Sequence, residues 1–281
     1  MEPSINLSSP SKVFWKNKLC VLSMFTLLLL IFFALIGPLL TPYTYYETHL
    51  PLKNTPPCST FWFGSDELGR DIFTRIWWGT RISLFVGVGA SLIDLIIGVL
   101  FGAFAAMIGG KTEEFLMRLM DILYSIPYLL VVILLSVIIG PSLLSILVAL
   151  TFTGWIGMAR IVRSRILQVK QLDFVKAAKA LGASNKRILF SHLIPNCLNQ
   201  ILVTITLTIP SAIFAEAFLS FLGLGVQAPI ASLGTMANDG LTALKAYPWR
   251  LFFPAGFITV LILCFSLISE GLRNAFDSRS V

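Results

Sequence analysis

Residues 82–108 read ISLFVGVGASLIDLIIGVLFGAFAAMI. The run holds one ionisable side chain, Asp94, about halfway along. A stretch this long and apolar is long enough to cross a bilayer. It must cross as an α-helix, because lipid leaves backbone N–H and C=O groups to be paired within the segment. Five further runs share the pattern, at about 19–40, 115–139, 143–161, 198–222 and 251–269. The first covers roughly 33 Å at about 1.5 Å per residue, against a hydrocarbon core of about 30 Å. Pro127 lies near the middle of the third and Pro210 inside the fifth, which marks kinks or gating points. Gly140-Pro141-Ser142 makes a tight turn between the third and fourth.

Composition agrees. Of 281 residues, 56% are hydrophobic and 12% charged, and the mean hydropathy is +0.85. A soluble domain carries roughly 25% charged residues, so a water-soluble fold is excluded and a polytopic membrane protein is expected. Lys12, Lys16 and Lys18 precede the first run in the manner of a signal peptide. Its apolar core exceeds the roughly 7–15 residues of a signal sequence, and no small-x-small cleavage site follows, so an uncleaved anchor is expected. The cysteines, Cys20, Cys58, Cys197 and Cys264, are scattered and form no CxxC pair, so neither a disulfide nor a metal site is expected.

The net charge of +7 reads as a topology signal. With both termini in the cytoplasm, fifteen of the 21 lysines and arginines fall inside, among them Arg273 and Arg279. Nucleic-acid binding has no separate support. No internal repeat is visible, which weakens a secondary carrier built of inverted repeats. The expected division is an N-terminal tail, first span and periplasmic segment at 1–81, a five-helix core at 82–275, and a cytoplasmic tail at 276–281.

The cytoplasmic connector of residues 173–196, DFVKAAKALGASNKRILFSHLIPN, is too long for a plain loop. Asp173 suits an N-cap, the lysine- and alanine-rich stretch after it forms helix, and Gly182 suits a left-handed end. Ser184 suits the cap of a second helix from Asn185 that stops before Pro195. Ala177, Ala178, Ala180 and Ala183 leave little bulk, so another protein can approach closely. A solvated loop without a partner is the plain alternative.

The same stretch resembles the EAA loop of ABC importer membrane subunits. Lys176-Ala177-Ala178 stands at the EAA, Gly182 at the following Gly, and Pro195 at the closing Pro. Lys176 replaces the usual Glu, and His192 and Ile194 stand where Ile and Leu are usual. FGSDELGRD at 63–71, GTRISL at 79–84, AEAFLSFLGLG at 215–225, and Pro248-Trp249 followed by FPAG at 253–256 are similar to the C-type permease of dipeptide, oligopeptide and nickel importers. The similarity runs from about 14 to 279. It departs at Leu233-Gly234, where the family has Trp-Gly, and at 266–278, where its C-terminal motif is altered.

The resemblance implies an all-α polytopic membrane protein with six transmembrane helices, type I ABC importer permease-like, with a cytoplasmic coupling-helix loop at about 170–195. Lys176, Ala177, Ala178, Gly182, Ala183 and Pro195 would form the ATPase-coupling loop, and Gly64, Asp66, Gly69, Arg70 and Asp71 the periplasmic signature. It implies a multi-pass protein of the bacterial cytoplasmic membrane, no enzyme itself. Its partners would be a second related permease subunit, two ATP-binding subunits carrying ATP and Mg, a periplasmic or lipid-anchored solute-binding protein, and membrane lipid. No cofactor, metal or nucleic acid is expected on this chain. The solute would be a di- or oligopeptide, with nickel or another metal chelate as the alternative. A stand-alone channel or secondary carrier, or a scaffold without transport, would be the readings of another class.

Outside the loop, few residues suggest chemistry. Residues 105–112 imitate a phosphate-binding loop, yet Ala105 stands at the required Gly and the segment closes a membrane helix. Asp94 is costly at membrane depth and suits either a pathway role or a helix contact. Glu216 in the fifth span suits lining the pathway or a helix contact, with a structural or gating role preferred. Asp66, Arg70 and Asp71 suit a small outer site or, by preference, capping and ion pairing, Glu113 and Glu114 the solvated start of the third span, and His49 and His192, expected in different compartments, cannot share a metal.

Overall fold

The structure is a computed structural model that describes residues 10–277. The outermost tail residues 1–9 and 278–281, with Arg279, lie outside the described residues. The described residues form eleven α-helices with no strand among them. A short helix α1 (Pro10–Lys16) leads into α2 (Lys18–Ile36), which Asn17 caps through its side-chain oxygen. Next comes α3 (Ile72–Ile108). It begins ten residues before the apolar run because Asp71 accepts from both the backbone N–H and the hydroxyl of Thr74, at 2.9 and 2.6 Å.

The third apolar run is not one straight helix. It is α4 (Gly110–Ser125) and α5 (Tyr128–Ile139), bent by 75° at Ile126-Pro127. Proline has no N–H to donate and disfavours helical backbone at the residue before it, so the chain breaks there. Among the described residues five helices are long and apolar enough to cross a membrane, and the bent pair, taken as one span, makes six. Ser142 then caps α6 (Leu143–Val169), which runs on past residue 161.

The connector forms α7 (Asp173–Ala180) and α8 (Asn185–Ile188). The expected stop before Pro195 is corrected. The chain passes through a π turn, Leu189–Leu193, straight into α9 (Ile194–Phe221). The wider turn, in which Ile194 N–H bonds to the Leu189 carbonyl, removes the clash a proline makes with the carbonyl four residues back. Asn196 donates its side-chain amide to the His192 carbonyl at 2.6 Å. The cap of α7 is Leu172, and Asp173 is its first helical residue. Finally α10 (Leu233–Thr242) opens on a Ser232–Thr235 capping box, and α11 (Trp249–Asp277) closes the chain with Pro254 inside it.

Three of the four apolar clusters among the described residues form layers along the bundle. An aromatic layer joins α2, α3, α10 and α11, with Phe33 stacked on Trp77 and Phe63 on Phe253 at 4.2 Å. A middle layer joins α3, α5, α6 and α9 around Ala90, Val132, Ala149 and Leu219. The third joins α3, α6, the connector and α9 around Ala106, Ile166, Leu193 and Cys197. Along α3 the small residues Gly98 and Gly102 recur at helical spacing. A methyl group on either would collide with Met158 or the Ala159 backbone, so α3 and α6 meet backbone to backbone.

Candidate coupling knob and pathway wall

The connector folds into a knob because Gly182, with φ +82°, turns the chain at the end of α7. Gly182 N–H donates to the Lys179 carbonyl at 3.0 Å and Ala183 N–H to the Ala178 carbonyl at 3.1 Å. That pair of bonds is a Schellman ending and satisfies carbonyls the helix leaves open. Ser184 then caps α8 through Arg187 N–H. Val175 and Ile188, both buried, pin the knob to the layer formed by α3, α6 and α9. Lys170 adds a tie, its Nζ donating to the Ala106 carbonyl at the end of α3, 3.1 Å away.

The opposite face of the knob is open. Lys176, Ala177 and Gly182 are exposed, and Ala178 and Ala183 half-buried. Leu181 is 88% exposed, and Phe174 and Phe190 stand exposed nearby. Sequence reasoning passed over these three apolar residues. The signal for Leu181 was its place directly before the helix-ending glycine, where a side chain is thrown outward. Lys176, in the place of the usual acid, lies 3.4 Å from Asp173 on its own helix.

The two intramembrane carboxylates differ. Glu216 is fully buried and accepts from Ser83 of α3 at 2.7 Å and from Ser220 of α9 at 2.8 Å. It ties two helices together. Asp94 is also buried, but its Oδ1 has no hydrogen-bond partner. It faces Gly154 of α6 so closely that a methyl group there would overlap the carboxyl.

The signature of residues 64–71 forms a compact corner. Asp66 accepts from the backbone N–H groups of Leu68 and Arg70 and pairs with Arg70 Nε at 2.6 Å, with Arg75 3.5 Å away. Gly64 and Gly69 have φ of +81° and +74°, and each packs its bare Cα against a neighbour, Trp249 and the His49 carbonyl respectively. Arg250 pairs with Glu67 and donates to Asn54. Burial raises the Asp71 carboxyl above its ordinary value, against the lowering from its Thr74 bonds. Burial, and then the neighbouring Glu67, raise Asp239 against the pull of Arg75, Arg70 and Arg250.

Glu113 is corrected as well. It is buried and paired with Arg163 at 2.5 Å, while Glu114 is exposed. The corner at Gly109 and Gly110 joins two helices, without the strand a phosphate-binding loop needs.

One wall was missed in the sequence. Asn196, Asn199 and Gln200 are exposed on α9. With Thr204, Arg165 and Arg273 they line a cleft of about 620 Å³ between α6, α9 and α11. Amide side chains do not face hydrocarbon without cost, so this side of α9 faces water or another polar protein surface. The alternation of polar and apolar residues along α9 carries the signal, but it is diluted by threonines that bond back to their own helix.

Comparison with known proteins adds identity to this geometry. The family described as binding-protein-dependent transport system inner membrane component matches residues 98–280. The N-terminal TM domain of oligopeptide transport permease C matches residues 11–57. The oligopeptide transport system permease protein OppC of Bacillus subtilis is 52% identical over 95% of this chain and 87% of its own length. The dipeptide transport system permease protein DppC of the same organism is 54% identical over 94% and 83%. OppC of Escherichia coli is 40% identical over 95% and 89%. Among solved structures, the MetNI methionine ABC transporter in inward-facing conformations matches with a TM-score of 0.58 and 17% identity, over 73% of this chain and 96% of that chain. This last likeness speaks to the fold alone.

Proposed function

Because the chain belongs to the binding-protein-dependent transport system inner membrane component family, we propose that it forms half of the translocation pathway of an ATP-driven importer for di- or oligopeptides. The relatives' names supply the peptide class. The knob is the observation that carries the coupling role. Its outer face presents Ala177, Leu181 and Gly182 beside Lys176, and it is pinned by Val175 and Ile188 to the helices that flank the polar cleft. A push on Leu181 or Ala177 therefore reaches α6 and α9 through packed side chains. ATP is bound and hydrolysed by two separate subunits that dock on the knob. A second related permease completes the pathway, and a periplasmic or lipid-anchored binding protein delivers the solute. Both termini and the knob lie in the cytoplasm, and this chain makes and breaks no bonds.

Reconstitution tests the reading. The chain, a related permease and the ATP-binding subunits are placed in proteoliposomes with the cognate binding protein and a labelled dipeptide. Uptake that needs ATP and the binding protein is expected. Uptake driven by an ion gradient without the ATP-binding subunits would establish a secondary carrier instead.

A further inference from the structure

The break between α4 and α5 borders a cleft of about 550 Å³, lined by Tyr124, Ser125, Pro127, Tyr128, Thr153 and Gly154. Helix ends leave backbone groups without intrahelical partners. At membrane depth such backbone persists only where it is buried in protein or lines a water-filled space. The side chains around the break agree. The Tyr128 hydroxyl, buried, has no partner. Asp94 is 6% exposed, its Oδ1 is unpartnered, and its carboxyl lies against Gly154 of the cleft wall. Ser91, one turn before Asp94, also has a buried hydroxyl without a partner. Gly154 and Gly157 put no side chain between this group and the cleft, and Gly157 has open space where a side chain would stand. Native interiors pair nearly all buried polar groups, so the unpaired Tyr128 hydroxyl in the cleft and the Asp94 oxygen behind its Gly154 wall point to something that enters it. A buried carboxylate with no ion pair among the described residues takes a cationic group.

We propose that the cleft at the α4–α5 break is a hydrated, cation-accepting site at mid-membrane. Asp94 supplies its negative charge, and its ligand is the terminal ammonium group of a transported peptide. The peptide part of this inference rests on the proposed function; the charged, hydrated cleft does not. The glycine at position 154 is then explained as the opening through which the carboxyl acts.

The test uses the assembled importer in nanodiscs, with both faces accessible. Thr153→Cys is introduced into a Cys58→Ser background, because Cys58 is the exposed cysteine among the described residues and Cys20, Cys197 and Cys264 are buried. The cysteine is labelled with a cationic or an anionic methanethiosulfonate of similar size. The cationic reagent is expected to react faster by about tenfold or more, and Asp94→Asn to bring the two rates together. A free dipeptide is expected to slow the cationic reagent, and its N-acetylated form to leave the rate unchanged. No labelling, or rates indifferent to reagent charge and to Asp94→Asn, overturns the site. Equal protection by both peptides overturns the ammonium assignment. ATP hydrolysis stimulated by the binding protein is recorded on the same nanodiscs, so a failure of the importer reading appears separately from a failure of the site.

Discussion

Gly182 is the residue at which coupling can be separated from folding. Its φ of +82° is open to glycine and costly for other residues, yet nothing lies within 4 Å of where a side chain would begin. Gly182→Ala therefore meets only the backbone penalty, about 1–2 kcal/mol. That lowers the population of the formed corner by roughly 5- to 30-fold at most. Gly182→Pro is worse by kind. Proline is held near φ −65° and has no N–H, so the bond to the Lys179 carbonyl is lost and the Ala183–Ala178 bond loses its geometry. Two net hydrogen bonds at about 0.5–1.5 kcal/mol each, with the forbidden φ added, come to roughly 3 kcal/mol. That is roughly a hundredfold against the corner. The spans do not depend on it, because Gly182 is exposed and lies outside every apolar layer. The assay is solute-stimulated ATP hydrolysis and uptake by the reconstituted complex, with membrane insertion as the control. The expected order is parent, then Ala, with Pro inactive in both readouts and inserted normally. Unchanged stimulation in Gly182→Pro would refute the assignment of the knob as the coupling element.

Three further perturbations probe the body of the fold. Glu216→Ala leaves the buried Ser83 and Ser220 hydroxyls without their acceptor; a loss of about 1–3 kcal/mol is expected, with Glu216→Gln milder, and equal thermal midpoints of all three forms in detergent would exclude the tie between α3 and α9. Gly154→Ala drives a methyl group into the Asp94 carboxyl and is expected to cost about 1–3 kcal/mol; Asp94→Ala in the same chain is expected to restore most of it, and strictly additive effects would show that the two do not meet. Asp239 tests pH linkage in the corner built around Asp66. Its folded-state value is raised above the ordinary 3.8, so folding takes up a proton, and the group's contribution falls as pH rises from below 3.8 through the folded value. Asp239→Asn is therefore expected to gain thermal stability relative to the parent as pH rises over that range toward neutrality, and a difference constant with pH would contradict the shift.

The spans and the knob were legible because their signals are local. An apolar run, a helix-ending glycine and a capping serine act within a few residues, and Gly182 and Ser184 stand in the structure where those rules put them. What the sequence concealed depends on partners far along the chain. Glu113 looks solvated beside Glu114 until Arg163 of α6 arrives fifty positions later. Pro127 marks a break but not its 75° angle, which depends on how α4 lies on α6 through Met120, Ile156 and Ala159. Pro195 reads as a stop only if the helix must stay α-helical; a π turn removes that condition. Asp94 could be noticed as an oddity, but its relation to Gly154 is a meeting of two helices sixty residues apart.

These contacts also decide which parts of the subunit move together. Gly98 and Gly102 bring the α3 and α6 backbones into contact, and close-packed backbones have no side chains to repack when one slides past the other. Arg163 holds Glu113 of α4 to the same block. By contrast, α9 leaves the knob through a π turn, whose bonding is looser than an α-helix, and carries Pro195 and Pro210, neither of which donates a backbone bond. A displacement applied at Leu181 therefore meets a stiff block on one side and a compliant helix on the other. The strain falls on α9. That is the helix whose exposed face carries Asn196, Asn199 and Gln200, so the proline-bearing element and the polar wall are one and the same.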